Sequence, residues 1–203
     1  MSQIPKPNLQ RTGWLICLGG IAIFLALYGF VSHLPIDRHA ISFILNEEKV
    51  PFLPWTLIVY LSVFLQAGII LRLTPHKLLP RTLFFGLCIA IIGFIIFIIF
   101  PIEYPRNLYP TANKGITFLR KIYSSGNCFP SLHVAMTLLL TGFYCLVQKS
   151  KKLRFLMCLW AIAIVFSVLT TKQHYLIDIF GGVILATPFI FALKRGRDRA
   201  TLR

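Results

Sequence analysis

Three ionisable residues, His133, His174 and Asp178, fall within or at the edge of long apolar runs in this chain. Ionisable groups are costly in such surroundings, which makes them functional candidates by default. His174 and Asp178 are spaced i, i+4, so on a helix they share a face at hydrogen-bonding reach. A carboxylate so placed can accept from one ring nitrogen, fix the tautomer and leave the other nitrogen as base or nucleophile. The alternative is a buried His–Asp pair that only locks helix packing. The segment Asn127-Cys128-Phe129-Pro130-Ser131-Leu132-His133 adds a second group. Pro130 suits the first position of a helix, whose free N–H groups and positive dipole end would bind an anion, with Ser131 adding a hydroxyl donor. Lys172, two residues before His174, would stand beside the pair, unless it is only a lysine snorkelling to the membrane surface. A histidine nucleophile, a second histidine as acid, and cations to neutralise an oxyanion make up the equipment for phosphoryl transfer.

The elements that must position these groups are membrane helices. Of the 203 residues 57% are hydrophobic and 13% charged, whereas a soluble domain needs about a quarter charged. Disorder is excluded by the same hydrophobicity. Six runs, Gly13–Val31, Pro51–Leu71, Thr82–Pro101, Phe129–Val147, Phe155–Thr171 and Tyr175–Leu193, are each long enough to cross a hydrocarbon core of roughly 30 Å. The first lacks a convincing cleavage site and reads as a retained helix rather than a signal peptide. The expected fold is all-α: a polytopic integral membrane protein with six transmembrane helices in one bundle, residues 1–203 forming a single domain and residues 106–182 bearing the motifs. Asp37–Leu45 reads as a short interfacial helix or a plain loop.

Charge placement sets the orientation. The formal charge is +15, but Lys and Arg lie in the gaps between apolar runs, which speaks for membrane orientation and against a nucleic-acid partner. The two tails, Arg72–Arg81 and Gln148–Arg154 carry 14 of the 21 basic residues, and the other connections carry 7. Both termini are therefore expected in the cytoplasm, with the motifs and Cys128 on the outer side. The basic residues left outside, Arg106, Lys114, Arg120 and Lys121, suggest that something anionic is held there. Cys17, Cys88, Cys145 and Cys158 lie inside apolar runs and read as packing residues.

Pro130-Ser131-Leu132-His133, followed about forty residues later by His174-Tyr175-Leu176-Ile177-Asp178 within a six-span layout, resembles the phosphatidic acid phosphatase type 2 superfamily of membrane lipid phosphatases and phosphotransferases. The resemblance implies that His174 attacks phosphorus to give a phosphohistidine, Asp178 orients it, His133 protonates the leaving oxygen, and Ser131 with neighbouring amides holds the phosphoryl oxygens. The usual Lys-x6-Arg-Pro motif is absent. Arg106 is the candidate for its arginine, Lys114 the alternative, and Lys172 substitutes for the arginine that Val168 replaces. Leu132 stands where common lipid phosphatases have Gly. That leucine, the Lys172-x-His174-Tyr175 string and Pro51-Phe-Leu-Pro-Trp55 resemble the branch containing inositol phosphorylceramide and sphingomyelin synthases.

The expected activity is removal or transfer of a phosphoryl group on a lipid phosphate (phospholipid, prenyl or sphingolipid), with hydrolysis ahead of transfer to a lipid acceptor. The expected location is the inner or plasma membrane, with the site facing outward. No cofactor or metal is expected, because Lys172, Arg106 and Lys114 would repel a divalent cation. A metal set of His133, His174 and Asp178 is the chemical alternative. A non-enzymatic lipid-binding protein or transporter is the alternative from another class, although transporters gather polar groups near the bilayer midplane.

Overall fold

The computed structural model describes residues 9–44, 46–73, 78–122 and 126–201. Within them lie seven α-helices: α1 Leu9–Ser32, α2 Leu57–Leu73, α3 Leu79–Ile99, α4 Lys114–Ile122, α5 Leu132–Val147, α6 Lys151–Thr170 and α7 Leu176–Thr201. Residues 54–73, 79–99, 151–170 and 176–195 are long and apolar enough to cross a membrane, and α5 and residues 18–32 are shorter apolar helices. Large apolar side chains such as Ile58, Ile162 and Ile184 face outward while Gln66, Thr137 and Thr141 are buried. That inversion is favourable when lipid rather than water is the solvent.

Helix α5 is the hub, packing against α7, α6, α3 and α2, with α1 against α3. Its inward residues Leu132, Ala135, Leu139 and Phe143 meet Ile70, Ile89, Phe94 and Ala186. Cys145 of α5 and Cys158 of α6 face each other as free thiols at 3.6 Å, and the side chain of Cys17 lies outside the described set.

One end of the bundle gathers the chain connections. The Leu53 N–H, just before α2, donates to the Thr170 carbonyl at the end of α6 (2.8 Å). The Asn127 side chain, just before α5, donates to Ser32 Oγ at the end of α1 (2.7 Å). Residues around His39, after α1, pair with those around Ile102, after α3. This pairing decides between the two readings of this stretch: residues 37–44 form a loop and not an interfacial helix, because the His39 and Ile41 N–H groups bond across to the Pro101 carbonyl and to Tyr175 Oη. Leu45 lies outside the described residues. The amphipathic helix on this end is α4, placed by Asn113, whose side-chain oxygen accepts the Ile116 N–H (3.0 Å).

Helix α5 begins later than Pro130. Ser131 is its N-cap, accepting from the Val134 N–H (3.4 Å), and the first helical residue is Leu132. Pro130 thus precedes the cap instead of opening the helix. The resulting 16 residues rise about 24 Å, short of a 30 Å hydrocarbon core.

Candidate active site

The start of α7 is held by two carboxylates. Asp178 Oδ2 accepts the Tyr175 N–H (2.8 Å), and the buried Glu47 accepts the Leu176 N–H from a separate loop. A second Glu47 oxygen accepts from Ile44 (3.0 Å), so the loop and the helix start are tied together. Acceptors at a helix N-terminus satisfy donors that have no partner within the helix.

Against this frame His174 is buried, with Nδ1 2.9 Å from the Cys128 carbonyl and 3.1 Å from Asp178 Oδ2. A carbonyl can only accept, so Nδ1 carries the proton and donates to both. In the neutral ring Nε2 then holds the lone pair, and it makes no hydrogen bond among the described residues. Asp178 is fully buried, and its Oδ1 has no hydrogen-bond partner among the described residues.

The Pro130-Ser131 segment is seated directly on α7: the Ser131 N–H donates to the Asp178 carbonyl at 2.9 Å. Two glycines make room. A Cβ on Gly182 would lie 2.6 Å from the Ser131 carbonyl oxygen, and one on Gly181 2.6 Å from Phe129 Cε2. His133, one residue into α5, points toward α2. It stacks on Tyr60 (3.9 Å between centroids), and its Nε2 lies 2.8 Å from the Tyr60 carbonyl, which makes Nε2 a donor. It lies within electrostatic reach of His174 but shares no hydrogen bond with it.

The cations come from three places. Lys172 is 1% exposed, in the left-handed region at φ 54°. Its ammonium lies 4.6 Å from the Tyr109 ring centroid, with the Glu47 and Glu48 carbonyls at 3.4 Å. Burial pulls this ammonium below the ordinary lysine value, and Glu47 and Glu48 partly oppose the shift. Arg120 of α4 donates to the Tyr109 carbonyl (2.9 Å) and lies over Phe52, while its Nε and Nη2 are buried without a hydrogen-bond partner among the described residues. Arg106 is close enough that its charge, with burial, lowers the Arg120 value, and close enough to act on Cys128 as well. Lys114 is exposed at the start of α4. Tyr109 therefore joins Lys172 to the arginines, by its ring on one side and its carbonyl on the other.

Of the residues singled out from the sequence, His174, Asp178, Ser131 and Lys172 meet at the head of α7, Arg106 stands beside them, and His133 lies on the α2 side. Glu47, the Cys128 carbonyl, Tyr109 and Arg120 were not singled out as site residues. Only Arg120 had a signal, as one of the basic residues left on the expected outer side.

Cys128 Sγ, a His174 nitrogen and an Asp178 oxygen lie within 4.8 Å of one another, close enough for a metal. The set suits one poorly. His174 Nδ1 and Asp178 Oδ2 already bond each other, and burial beside Asp178 pushes the Cys128 thiol well above its ordinary value, away from the thiolate that binds metal.

The sequence model of the PAP2 superfamily matches residues 36–192, which include every residue of this site. The chain belongs to the PAP2 superfamily. No curated protein matches it. Membership supports phosphatase- or phosphotransferase-type chemistry in general, in keeping with the four helices among the described residues that are able to cross a membrane.

Proposed function

We propose that the protein is a six-span lipid phosphatase of the outer membrane face, working through a phosphohistidine on His174. The observation that carries this is the double engagement of His174 Nδ1, which leaves Nε2 with a lone pair and no competing bond. Nε2 attacks phosphorus as the bond to the leaving oxygen breaks. That oxygen takes a proton from Nδ1 of His133 in its doubly protonated, imidazolium form, since the Nε2–H of that ring donates to the Tyr60 carbonyl. Water then attacks the phosphohistidine, the P–N bond breaks, and the water proton returns to His133. Asp178 orients His174. Lys172, Arg106 and Ser131 with its neighbouring amides hold the phosphoryl oxygens, and Arg120 joins them. Positioned cations can supply the charge stabilisation that a metal would otherwise give, so activity is expected to persist in chelator and to fall with orthovanadate.

Hydrolysis is placed ahead of transfer because at an outer-face site water can meet the phosphohistidine without a second lipid having to bind. The Leu132 and Lys172-x-His174 resemblance to the sphingolipid-synthase branch supports the second reading, transfer to a lipid hydroxyl. Purified protein with labelled phosphatidate, prenyl phosphate or diphosphate, with and without diacylglycerol, ceramide or prenyl alcohol, tests the two. Free phosphate without acceptor, and acid-labile, base-stable label on wild type but not on His174→Ala, supports the phosphatase. Labelled lipid formed only with acceptor favours the synthase reading. Full activity in His174→Ala overturns both.

A further inference from the structure

Helix α4 divides into three sectors at 100° per residue. Ile116, Leu119 and Arg120 face the protein, Ile116 being fully buried and Arg120 reaching Tyr109. Lys114, Thr117 and Lys121 form an exposed polar sector, and Phe118 with Ile122 an exposed apolar one, Phe118 at 64%. Nine residues are too few for a stable helix in water, and Ile116 is the one fully buried residue of this helix. The level of α4 is set by its neighbour. A Cβ on Gly115 would lie 2.7 Å from Leu57 Cδ2, so α4 packs on the first residue of α2, beside Trp55, 64% exposed in the turn that precedes that span. An exposed tryptophan at the end of an apolar helix marks the water–lipid boundary.

We propose that α4 is a contact with the anionic surface of the bilayer, and that this contact seats Arg120 in the phosphate site. Phe118 and Ile122 enter the boundary layer, Lys121 meets lipid phosphates, and the opposite face carries Arg120 to the Tyr109 carbonyl beside Lys172. The bilayer thus completes the cation set that receives a lipid phosphate. The part concerning activity rests on the phosphatase reading above; the part concerning the membrane does not.

The full-length protein is reconstituted in phosphatidylcholine vesicles with or without phosphatidylglycerol. A polarity-sensitive fluorophore on Phe118→Cys, with labelled wild type as the background, is expected to be quenched by brominated acyl chains and shielded from aqueous iodide. Free quenching by iodide overturns the proposal whether or not the protein is a phosphatase. In the second arm, Lys121→Gln is expected to raise KM for a lipid phosphate in anionic vesicles roughly fivefold, the typical effect of one basic residue near such a surface. Its kcat on a water-soluble aryl phosphate should match wild type while its KM for that substrate also rises, because Arg120 would bind the phosphoryl group of either substrate. Phe118→Ser should behave alike, and Phe118→Leu should restore the wild-type KM. An unchanged KM in both Lys121→Gln and Phe118→Ser removes the link to the site, even if the fluorophore is buried.

Discussion

An imidazole attacks phosphorus only through a nitrogen whose lone pair is free, and the surroundings of His174 decide which nitrogen that is. Replacing Asp178 by Asn swaps an acceptor for an amide that can present either N–H or oxygen, so Nδ1 loses its fixed proton. Asp178→Asn is expected to lower kcat on the order of 10²–10⁴-fold with little change in far-UV circular dichroism; near-wild-type turnover would show that the Cys128 carbonyl alone holds the ring. Lys172 sets a pH limit. Because burial depresses its value below the ordinary 10.5, the ammonium is lost earlier in the folded chain than in the unfolded one. KM should therefore climb before pH 10.5, and Lys172→Arg should move that limb beyond reach. Stability moves the other way: between the two values the unfolded chain binds more protons, so this group's cost to folding is relieved as pH rises. A KM flat to pH 10.5 would show that Lys172 is not a phosphate cation. The His174–Asp178 spacing and the nearness of Lys172 are legible in the sequence because they are local. Glu47 and the Cys128 carbonyl are not, since they arrive from loops far away in the chain and one acts through its backbone.

At the scale of elements, the site depends on how closely α5 and α7 approach. Gly182 allows the Ser131 carbonyl to lie against α7, and a backbone oxygen cannot turn aside from an added methyl. Gly182→Ala is expected to cost about 1–3 kcal/mol, the usual range for overpacking, and to lower activity as Ser131 is pushed from Asp178; a thermal midpoint and kcat equal to wild type would contradict this. Four of the six apolar runs were readable as helices able to cross a membrane, because such a helix needs only length and composition. Two short elements were not. Residues 37–44 have helical apolar spacing but spend their N–H groups on other loops, and α4 was hidden because its apolar residues are few and divided between two faces. The start of α5 was misread by one feature, Pro130, which occurs before a cap as readily as inside one.

For the whole molecule, the 14 to 7 division of basic residues predicts that reporters fused at residue 203 are cytoplasmic. Cys128, however, is a poor outer marker: it is buried, with Sγ 3.8 Å from the Gln173 carbonyl oxygen. Lys121→Cys, on the exposed sector of α4, should instead react with an impermeant thiol reagent in intact cells, and a fusion at residue 203 found outside would reverse the topology. The shortness of α5 bears on traffic through the proposed site. A helix about 6 Å shorter than the hydrocarbon core cannot reach both headgroup planes, and if its N-terminal end is the one set below them, water and acyl chains both have access there. In the proposed hydrolysis the two products would leave by different doors, inorganic phosphate into water and the lipid alcohol sideways into the leaflet. Each has its own reservoir, so build-up of one is felt as a concentration and of the other as a mole fraction of the membrane.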